Sequence, residues 1–386
     1  MAKKRIYLDY AATTPVDPEV VKAMLPFFSK KFGNTMSLHS FGQEAKVILE
    51  ESREKVADLI KARSTEIIFT SSATESNNLA LKGVVLANKD KGKHIIISPI
   101  EHPCIMESAK WLEKQGFKIS KLKVDKYGLV SLEELKELIK KDTILVSVMH
   151  ANNEIGTIEP IGEIGAICKK AKVLFHTDAA QSFGKIPINV NKMNIDLLTA
   201  SSHKMYGPKG AACLFVREGV KIQPLLHGGG HESSLRSSTV NVAGIVGFAK
   251  ACQISKSKMK KESKRLSRLR DELISGILKK VKNSYLNGHP KKRLPNNINL
   301  SFSFIEGESL VMKLDLLGIA VSTGSACSSA KLKTSHVLSA ISVKPYLING
   351  SLRLSLGRWT KKSDIDYVLK VLPEAVKELR EISPFK

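Results

Sequence analysis

The chain has 386 residues, and its 61 Lys and Arg against 37 Asp and Glu give a formal net charge of +24. Hydrophobic residues make up 42% and charged residues 25%, a balance that is typical of globular proteins and excludes intrinsic disorder. We expect no membrane-spanning helix and no secretory signal, because no sufficiently long apolar run occurs. The five cysteines are odd in number and form no CxxC pair, which favours a cytoplasmic protein without disulfides or structural zinc.

Between residues 66 and 216, apolar strand-like runs alternate with amphipathic helix-like segments. The predicted strands are residues 66–70, 94–98, 117–123, 143–149, 173–178, 197–201 and 211–216. The helices between them include residues 75–88, 131–140 and 161–170. The alternation predicts an α/β fold with a mostly parallel seven-stranded sheet covered by helices. In such sheets, binding residues gather where the strands end.

Positive charge concentrates in residues 251–300, which hold 14 Lys and Arg against 3 Asp and Glu. Within this stretch, apolar residues recur at helical spacing at Leu266, Leu269, Leu273, Ile277 and Val281. The pattern predicts an amphipathic helix with a solvated basic face. It does not favour a nucleic-acid surface, because no aromatic residues interleave the charges. Beyond this helix, strands at 298–303, 320–322 and 351–355 and helices near 309–317 and from 363 predict a smaller α+β domain.

Polar groups follow five of the predicted strands. Thr74 lies at the start of a predicted helix, whose free N–H groups suit a phosphate. Ser72 and Glu75 also form an ordinary helix-capping pattern, and if this segment is considered by itself, we favour capping over phosphate binding. Asp178 ends an apolar run, where a carboxylate needs a cationic partner, and a Lys such as Lys204 is unusual at the buried end of a strand. A lysine, a carboxylate and a helix start are what pyridoxal phosphate requires, and His102 could stack on its ring.

The sequence resembles the cysteine desulfurases, class V aminotransferases with the fold type I of pyridoxal-phosphate enzymes. The matching segments are residues 7–15, 73–78, 101–102, 149–156, 176–182, 201–204, 228–230, 322–327, 335–338 and 351–353. The spacing from Cys327 to Ser335 resembles the long-loop type, which serves iron–sulfur cluster assembly. The resemblance implies a homodimer. It also implies a large cofactor domain over residues 15–260 and a small domain, formed by residues 1–14 and 261–386, that carries the Cys327 loop.

The resemblance also assigns roles to individual residues. Lys204, Cys327 and His102 would be catalytic, as the Schiff-base lysine, the sulfur acceptor and the residue that stacks on the ring and moves protons. The implied cofactor-binding residues are Ala73, Thr74, Asn153, Asp178, Gln181, Ser201, His203, Lys204 and Thr239, the last reaching the phosphate of the neighbouring subunit. The implied substrate-binding residues are Asn34, Asn153 and Arg353, whose planar fork suits a carboxylate. We expect no resident metal, with at most a transient iron–sulfur contact at Cys327.

Cys327 also has a local signal of its own. It lies among Ser, Thr, Gly and Ala, and Lys331 and Lys333 follow it, conditions that favour a reactive thiolate over an inert buried thiol. The other four cysteines lie in helix- or strand-like segments, which indicates structural roles.

The expected reaction converts L-cysteine to L-alanine and leaves a persulfide on Cys327. Its sulfur would pass to acceptor proteins for iron–sulfur cluster assembly or tRNA thiolation. Selenocysteine lyase activity shares most of these residues and is the first alternative; a basic nucleic-acid-binding protein is the second. We expect no membrane partner and no direct nucleic-acid partner. Ser72 and Ser238 stand where the family has Gly, which predicts slightly altered cofactor affinity rather than its loss.

Overall fold

The computed structural model describes residues 5–324 and 334–384. The strands in these ranges are β1 (Ile6–Tyr7), β2 (Ile67–Thr70), β3 (His94–Ile97), β4 (Lys118–Lys121), β5 (Thr143–Ser147), β6 (Leu174–Asp178), β7 (Leu197–Ser201), β8 (Ala212–Val216), β9 (Ser284–Leu286), β10 (Asn297–Phe302), β11 (Ile319–Ala320) and β12 (Ser351–Ser355).

The α-helices in the same ranges are α1 (Pro18–Met24), α2 (Pro26–Ser29), α3 (Ser40–Ile60), α4 (Ala73–Asn78), α5 (Val84–Ala87), α6 (Pro103–Lys114), α7 (Leu132–Leu138), α8 (Ile161–Ala171), α9 (Val242–Lys280), α10 (Gly307–Leu316), α11 (His336–Ala340), α12 (Pro345–Asn349) and α13 (Lys362–Glu381). A π-helical turn (Leu79–Gly83) joins α4 to α5. Over the residues described, no helix has both the length and the apolar character to cross a membrane.

The strands between residues 67 and 216 form a seven-stranded sheet in the order β2-β8-β7-β6-β5-β3-β4. The strands from β7 to β4 are parallel, whereas β8 runs antiparallel to both β2 and β7. Strands β5, β7 and β8 are buried along their whole length, as their continuous apolar runs predict. The seven predicted strands and the α/β fold are therefore confirmed.

Helices cover both faces of this sheet. Successive residues of a strand point to opposite faces, and β3 shows this directly. Ile96 belongs to the apolar cluster formed with α3, α8 and α9, whereas Ile95 and Ile97 belong to the cluster formed with α5 and α6. Because both faces are packed, the open places for polar chemistry are the strand ends.

A second sheet, β12-β10-β9, is antiparallel, and β1 pairs in parallel with β11. Its apolar cluster joins Ile6 and Leu8 to residues of α9, α10 and α13. Helix α9 confirms the predicted amphipathic helix but begins earlier, at Val242, because its first half is apolar on most sides and packs against the large sheet. The domain division at residues 14/15 and 260/261 stays a prediction, with these separate clusters in its favour.

Candidate active site

Asp178 is the last residue of β6 and is 5% exposed. Its Oδ1 accepts a hydrogen bond from the Ala180 backbone N–H at 2.8 Å, and its Oδ2 accepts one from Asn77 Nδ2 at 2.7 Å. Two donors therefore fix the direction of the carboxylate. Each oxygen retains a further lone pair, so the group can still accept a proton donor from a ligand.

Lys204 lies in the short 3₁₀ turn that follows β7. Its Nζ donates at 2.7 Å to the backbone oxygens of both Ala11 and Ala12, and Gln181 Nε2 donates to the same Ala11 oxygen at 3.0 Å. The segment after β1 thus closes over the ends of β6 and β7. Lys185 donates to the Gln181 backbone oxygen at 2.9 Å, and burial, assisted by the charge of Lys204, lowers the pKa of Lys185 to about 7.

His102 caps the amino terminus of α6, and its Nδ1 accepts the Cys104 backbone N–H at 3.3 Å. Burial is the main cause that lowers the pKa of His102, and the positive charge of Lys204 lowers it further, whereas the carboxylate of Asp178 raises it. The net shift is downward, which favours the neutral ring. Hydrogen bonds through Asn77 and Cys104 connect Asp178 to His102.

The residues predicted to bind phosphate lie at the carboxyl ends of β2 and β7, between which β8 lies in the sheet. Ala73 and Thr74 begin α4, which packs against β7, and Ser72 caps this helix by accepting the Glu75 N–H at 3.2 Å. The capping interpretation is therefore confirmed. Ser72 has φ −160°, an extended conformation that any residue adopts, so this turn does not require glycine. In the described chain, Ser238 is likewise not among the residues with positive φ.

Ser201 and His203 lie at the end of β7 and directly after it. Ser201 is buried, and His203 Nδ1 lies 3.1 Å from Thr13 Oγ1. Burial, followed by the charge of Lys204, lowers the pKa of His203 to about 4, so this imidazole is neutral. A neutral ring can still donate one N–H to an anion.

Arg353, which is predicted to bind the substrate, lies on β12. Its side chain is 4% exposed; Nη2 donates to Asp9 Oδ1 at 2.9 Å, and Nη1 donates to the Asn153 backbone oxygen at 3.1 Å. Its buried Nε has no acceptor among the residues described. An unsatisfied buried donor is costly.

Asn34 and Thr239 are exposed and lie apart from these contacts. Asn34 Oδ1 accepts the Met36 N–H at 3.0 Å, within its own loop, so its place beside Arg353 stays a prediction. Thr239 lines a cavity of about 220 Å³ together with Ser71 and Arg236. This cavity opens next to Ser71, just before the start of α4.

Cys327 lies outside the described residues, as do Lys331 and Lys333, so its role as the sulfur acceptor stays a prediction. Described residues on both sides of it, Ser322 and Ser335, contact Arg353 and Glu154. Ser322 exchanges two backbone hydrogen bonds with Arg353. Ser335 Oγ donates to Glu154 Oε2 at 2.5 Å, and burial raises the pKa of Glu154 to about 7.

Four residues of this site were not singled out by the sequence: Asp9, Asn77, Cys104 and Lys185. Asp9 and Asn77 lie within segments that carry the resemblance. Their contacts with Arg353 and Asp178 join residues 344 and 101 positions apart, which no local pattern indicates. Cys104 was assigned a structural role, but it contacts His102. In the described chain, no three His, Cys, Asp or Glu side chains are placed to hold a metal ion. The expectation that the protein has no resident metal stays a prediction.

A buried ion pair anchors the loop that follows the glycines at 228–230. Arg53 on α3 makes two hydrogen bonds to Glu232, at 2.6 and 2.9 Å, and Glu232 also accepts the Phe69 backbone N–H at 2.8 Å. Burial disfavours the charged guanidinium, but its bonds to Glu232 raise the pKa of Arg53. Residues 232–234 all have positive φ, which costs roughly 1–2 kcal/mol for each non-glycine residue. The ion pair offsets that cost.

Glu232→Gln should lower the free energy of unfolding by about 3 kcal/mol, because it removes the buried one of the two carboxylates that pair with Arg53 and leaves only the more exposed Glu50. Urea unfolding followed by circular dichroism measures this loss. The control is Glu51→Gln, which removes an exposed partner of Lys55 and should change stability by less than about 0.5 kcal/mol. Equal losses in the two variants would contradict the anchoring role.

Comparisons with known proteins agree with this geometry. The family described as aminotransferase class V matches residues 6–368. The chain is 54% identical to a cysteine desulfurase IscS of Dictyoglomus turgidum over 100% of this chain and 98% of that protein. It is 52% identical to a cysteine desulfurase IscS of Methanosarcina thermophila over 99% of this chain and 94% of that protein. A solved NifS-like protein superposes with a TM-score of 0.92 and 40% identity, covering 97% of this chain and 100% of the other.

Proposed function

The chain belongs to the class V aminotransferase family and, within it, to the cysteine desulfurases; from this we propose that it binds pyridoxal phosphate and moves the sulfur of L-cysteine onto its own Cys327. The observation that carries the proposal is that Lys204, Asp178 and His102 lie at the carboxyl ends of β7, β6 and β3, where Asn77 and Cys104 link His102 to Asp178. Purified protein given L-cysteine and a thiol reductant should release alanine and sulfide in equal amounts. Alanine formation no faster than without enzyme would overturn the proposal.

The chemistry of the donors supports pyridoxal phosphate as the cofactor. Lys204 supplies a primary amine, and Asp178 supplies a carboxylate with unused acceptor capacity, which suits a protonated ring nitrogen. Gln181 places an amide beside the amine through their shared contact with Ala11. The start of α4, with Ala73 and Thr74, would hold the phosphate together with Ser201 and His203.

When bound, pyridoxal phosphate supplies an electron sink that makes the Cα proton of an attached amino acid acidic. Asp178 would keep the proton on the ring nitrogen by accepting its N–H. Arg353 would hold the substrate carboxylate, with Asp9 and Asn153 fixing its guanidinium. Lys204 Nζ would take the Cα proton, because a neutral amine is a general base at this position. His102 would stack on the ring.

The sulfur step needs no external oxidant. The Cys327 thiolate attacks the substrate Sγ, so that an S–S bond forms while the Sγ–Cβ bond breaks. The electron pair of the broken bond stays with Cβ, which takes up a proton. L-cysteine and one protein thiol thereby become L-alanine and one protein persulfide. The described residues on both sides of Cys327 lie beside Arg353 and Glu154, which supports this role.

Arg353→Lys should raise KM for L-cysteine by about 10- to 100-fold with a smaller change in kcat. Lysine keeps the charge but cannot hold Asp9 and a carboxylate at once through a planar fork, which removes charge-assisted hydrogen bonds of about 1.5–3 kcal/mol. Steady-state kinetics of alanine formation measures both constants. The control Arg358→Lys changes a buried arginine that pairs with Asp17 and Glu262. A wild-type KM for Arg353→Lys would contradict the assignment.

A homodimer is part of the proposal. The segment from α1 to the start of α3 carries apolar side chains that are each more than half exposed: Leu25, Phe28, Phe32, Met36, Leu38 and Phe41. An exposed apolar surface of this extent is typical of an interaction site. Thr239 and its cavity lie on an exposed loop, which suits a residue that reaches into a neighbouring subunit.

Phe28→Asp together with Phe32→Asp should convert the dimer to a monomer and weaken cofactor retention, because charges would be buried without partners at the interface. Light scattering after size exclusion measures the mass. The matched control is Leu316→Asp on α10, which is 68% exposed and lies in another part of the chain. A double variant that stays dimeric would place the interface elsewhere.

The sulfur would leave Cys327 for acceptor proteins of iron–sulfur cluster assembly or tRNA thiolation. A cytoplasmic location is supported by the free thiols at Cys104, Cys168, Cys213 and Cys252, because reduced cysteines are typical of that compartment. The basic face of α9 lies on the outside of the protein, where it could attract acidic acceptors.

A further inference from the structure

Asn77 and Cys104 connect two residues of the proposed catalytic site. Asn77 Nδ2 lies 2.7 Å from Asp178 Oδ2 and 3.1 Å from Cys104 Sγ, and Cys104 Sγ lies 3.0 Å from His102 Nδ1. Asn77 is fully buried on α4, and Cys104 is half-buried in the first turn of α6. The contacts form one continuous path from the carboxylate to the imidazole.

The chemistry of the groups sets the direction of each hydrogen bond along this path. Asp178 accepts, so the neighbouring Asn77 atom must be the NH₂ group, whose second hydrogen points to the sulfur. Burial, followed by the charge of Asp178, raises the pKa of Cys104 to about 12, so the sulfur carries its proton. A thiol that accepts from Asn77 keeps its S–H to donate, and His102 Nδ1 is the acceptor within reach.

His102 Nδ1 also receives the Cys104 backbone N–H at 3.3 Å. Two donors directed at one ring nitrogen leave that nitrogen without a proton. The proton of the neutral ring therefore lies on Nε2, on the opposite edge of the imidazole.

We propose that Asn77 and Cys104 are positioning residues that hold His102 as its Nε2–H tautomer and tie its ring to the carboxylate of Asp178. The inference deepens the proposed function, on which its kinetic arm rests. The arrangement presents an N–H, rather than a lone pair, on the edge of His102 that faces away from the protein backbone. His102 is thereby prepared to donate a hydrogen bond from Nε2.

The charged and titratable groups around His102 agree with a neutral ring. Asp178 favours the charged imidazolium, whereas burial, Lys204 and His336 disfavour it. His336 Nε2 donates to the Glu101 backbone oxygen at 2.9 Å. Burial, followed by the charge of Asp178, raises the pKa of Glu101 well above its usual range.

The test begins with the holoenzyme labelled with ¹⁵N in its histidine rings. Long-range proton–nitrogen correlation spectra report which ring nitrogen is protonated, and His102→Gln identifies the signals of His102. We expect an unprotonated Nδ1 and a protonated Nε2 in the wild type. A protonated Nδ1 would overturn the proposal. This measurement needs no turnover, so its failure is distinct from a failure to desulfurate L-cysteine.

The role of Cys104 is tested by a pair of substitutions. Cys104→Ala removes the S–H donor to His102 Nδ1. Because that donor favours the neutral ring, its loss should raise the pH at which His102 titrates. It should also lower kcat about 3- to 10-fold, which corresponds to the loss of one hydrogen bond. Cys104→Ser restores a donor and should recover the wild-type titration and most of kcat. The control Cys168→Ala removes a buried thiol from α8 and should leave both unchanged.

Asn77→Ala tests the other half of the path. The substitution removes the hydrogen-bond donor to Asp178. We expect two changes: the visible absorption of the bound cofactor should depend on pH in a different way, and His102 should titrate at a different pH. If both Asn77→Ala and Cys104→Ala fold, bind the cofactor and leave the cofactor absorption and the His102 titration unchanged, the proposed link is overturned.

Discussion

Lys204→Ala should abolish the visible absorption of the lysine-bound cofactor and lower the rate of alanine formation by at least about 10²- to 10⁴-fold, the contribution of a positioned general base. In the cofactor-free protein, the substitution also removes the donor to the backbone oxygens of Ala11 and Ala12, of which only the Ala11 oxygen keeps a second donor, Gln181 Nε2. This loss should cost about 1–3 kcal/mol of stability. The absorption spectrum and the alanine assay measure the two functional effects.

The control for Lys204→Ala is Lys209→Ala, an exposed lysine a few residues further along the same loop. It should keep both the absorption and the activity. If Lys204→Ala keeps the wild-type spectrum and rate, another amine must hold the cofactor, and Lys185 would be the next candidate because it is half-buried and close enough for the charge of Lys204 to lower its pKa.

Cys327→Ala should separate cofactor chemistry from sulfur transfer. The variant should keep the visible absorption, because Lys204 and Asp178 are unchanged, but it should lose persulfide formation and at least about 10²-fold of the rate of alanine release. The expected size is that of removing an activated nucleophile. Absorption spectra and alanine release, measured side by side, test both statements.

Cys213→Ala is the control for Cys327→Ala. Cys213 is fully buried in β8, where burial raises the pKa of its thiol, and it should be inert. Full activity in Cys327→Ala would show that the sulfur leaves by another route.

The sequence predicted the large sheet well because its strands are continuous apolar runs buried on both faces. It predicted Asp178, Lys204 and His102 because each follows such a run, and the topology then brings the strand ends together. Helix α9 was predicted only in its carboxyl-terminal half. The amino-terminal half is buried on most sides and therefore lacks an amphipathic period.

Contacts between distant segments could not be predicted in this way. The pairing of Arg353 with Asp9 and the path from Asp178 through Asn77 to Cys104 both depend on side chains from elements far apart in sequence. Cys104 shows the limit clearly, since a cysteine in the first turn of a helix has no sequence feature that indicates whether it packs inertly or contacts a catalytic imidazole.

The persulfide itself is the most direct test of the account. Holoenzyme mixed with one equivalent of L-cysteine, alkylated and digested, should show a persulfide on the peptide that contains Cys327, with one alanine formed for each persulfide. A persulfide found on Cys104, or alanine formed while Cys327 stays unmodified, would contradict the assignment of Cys327 as the sulfur carrier.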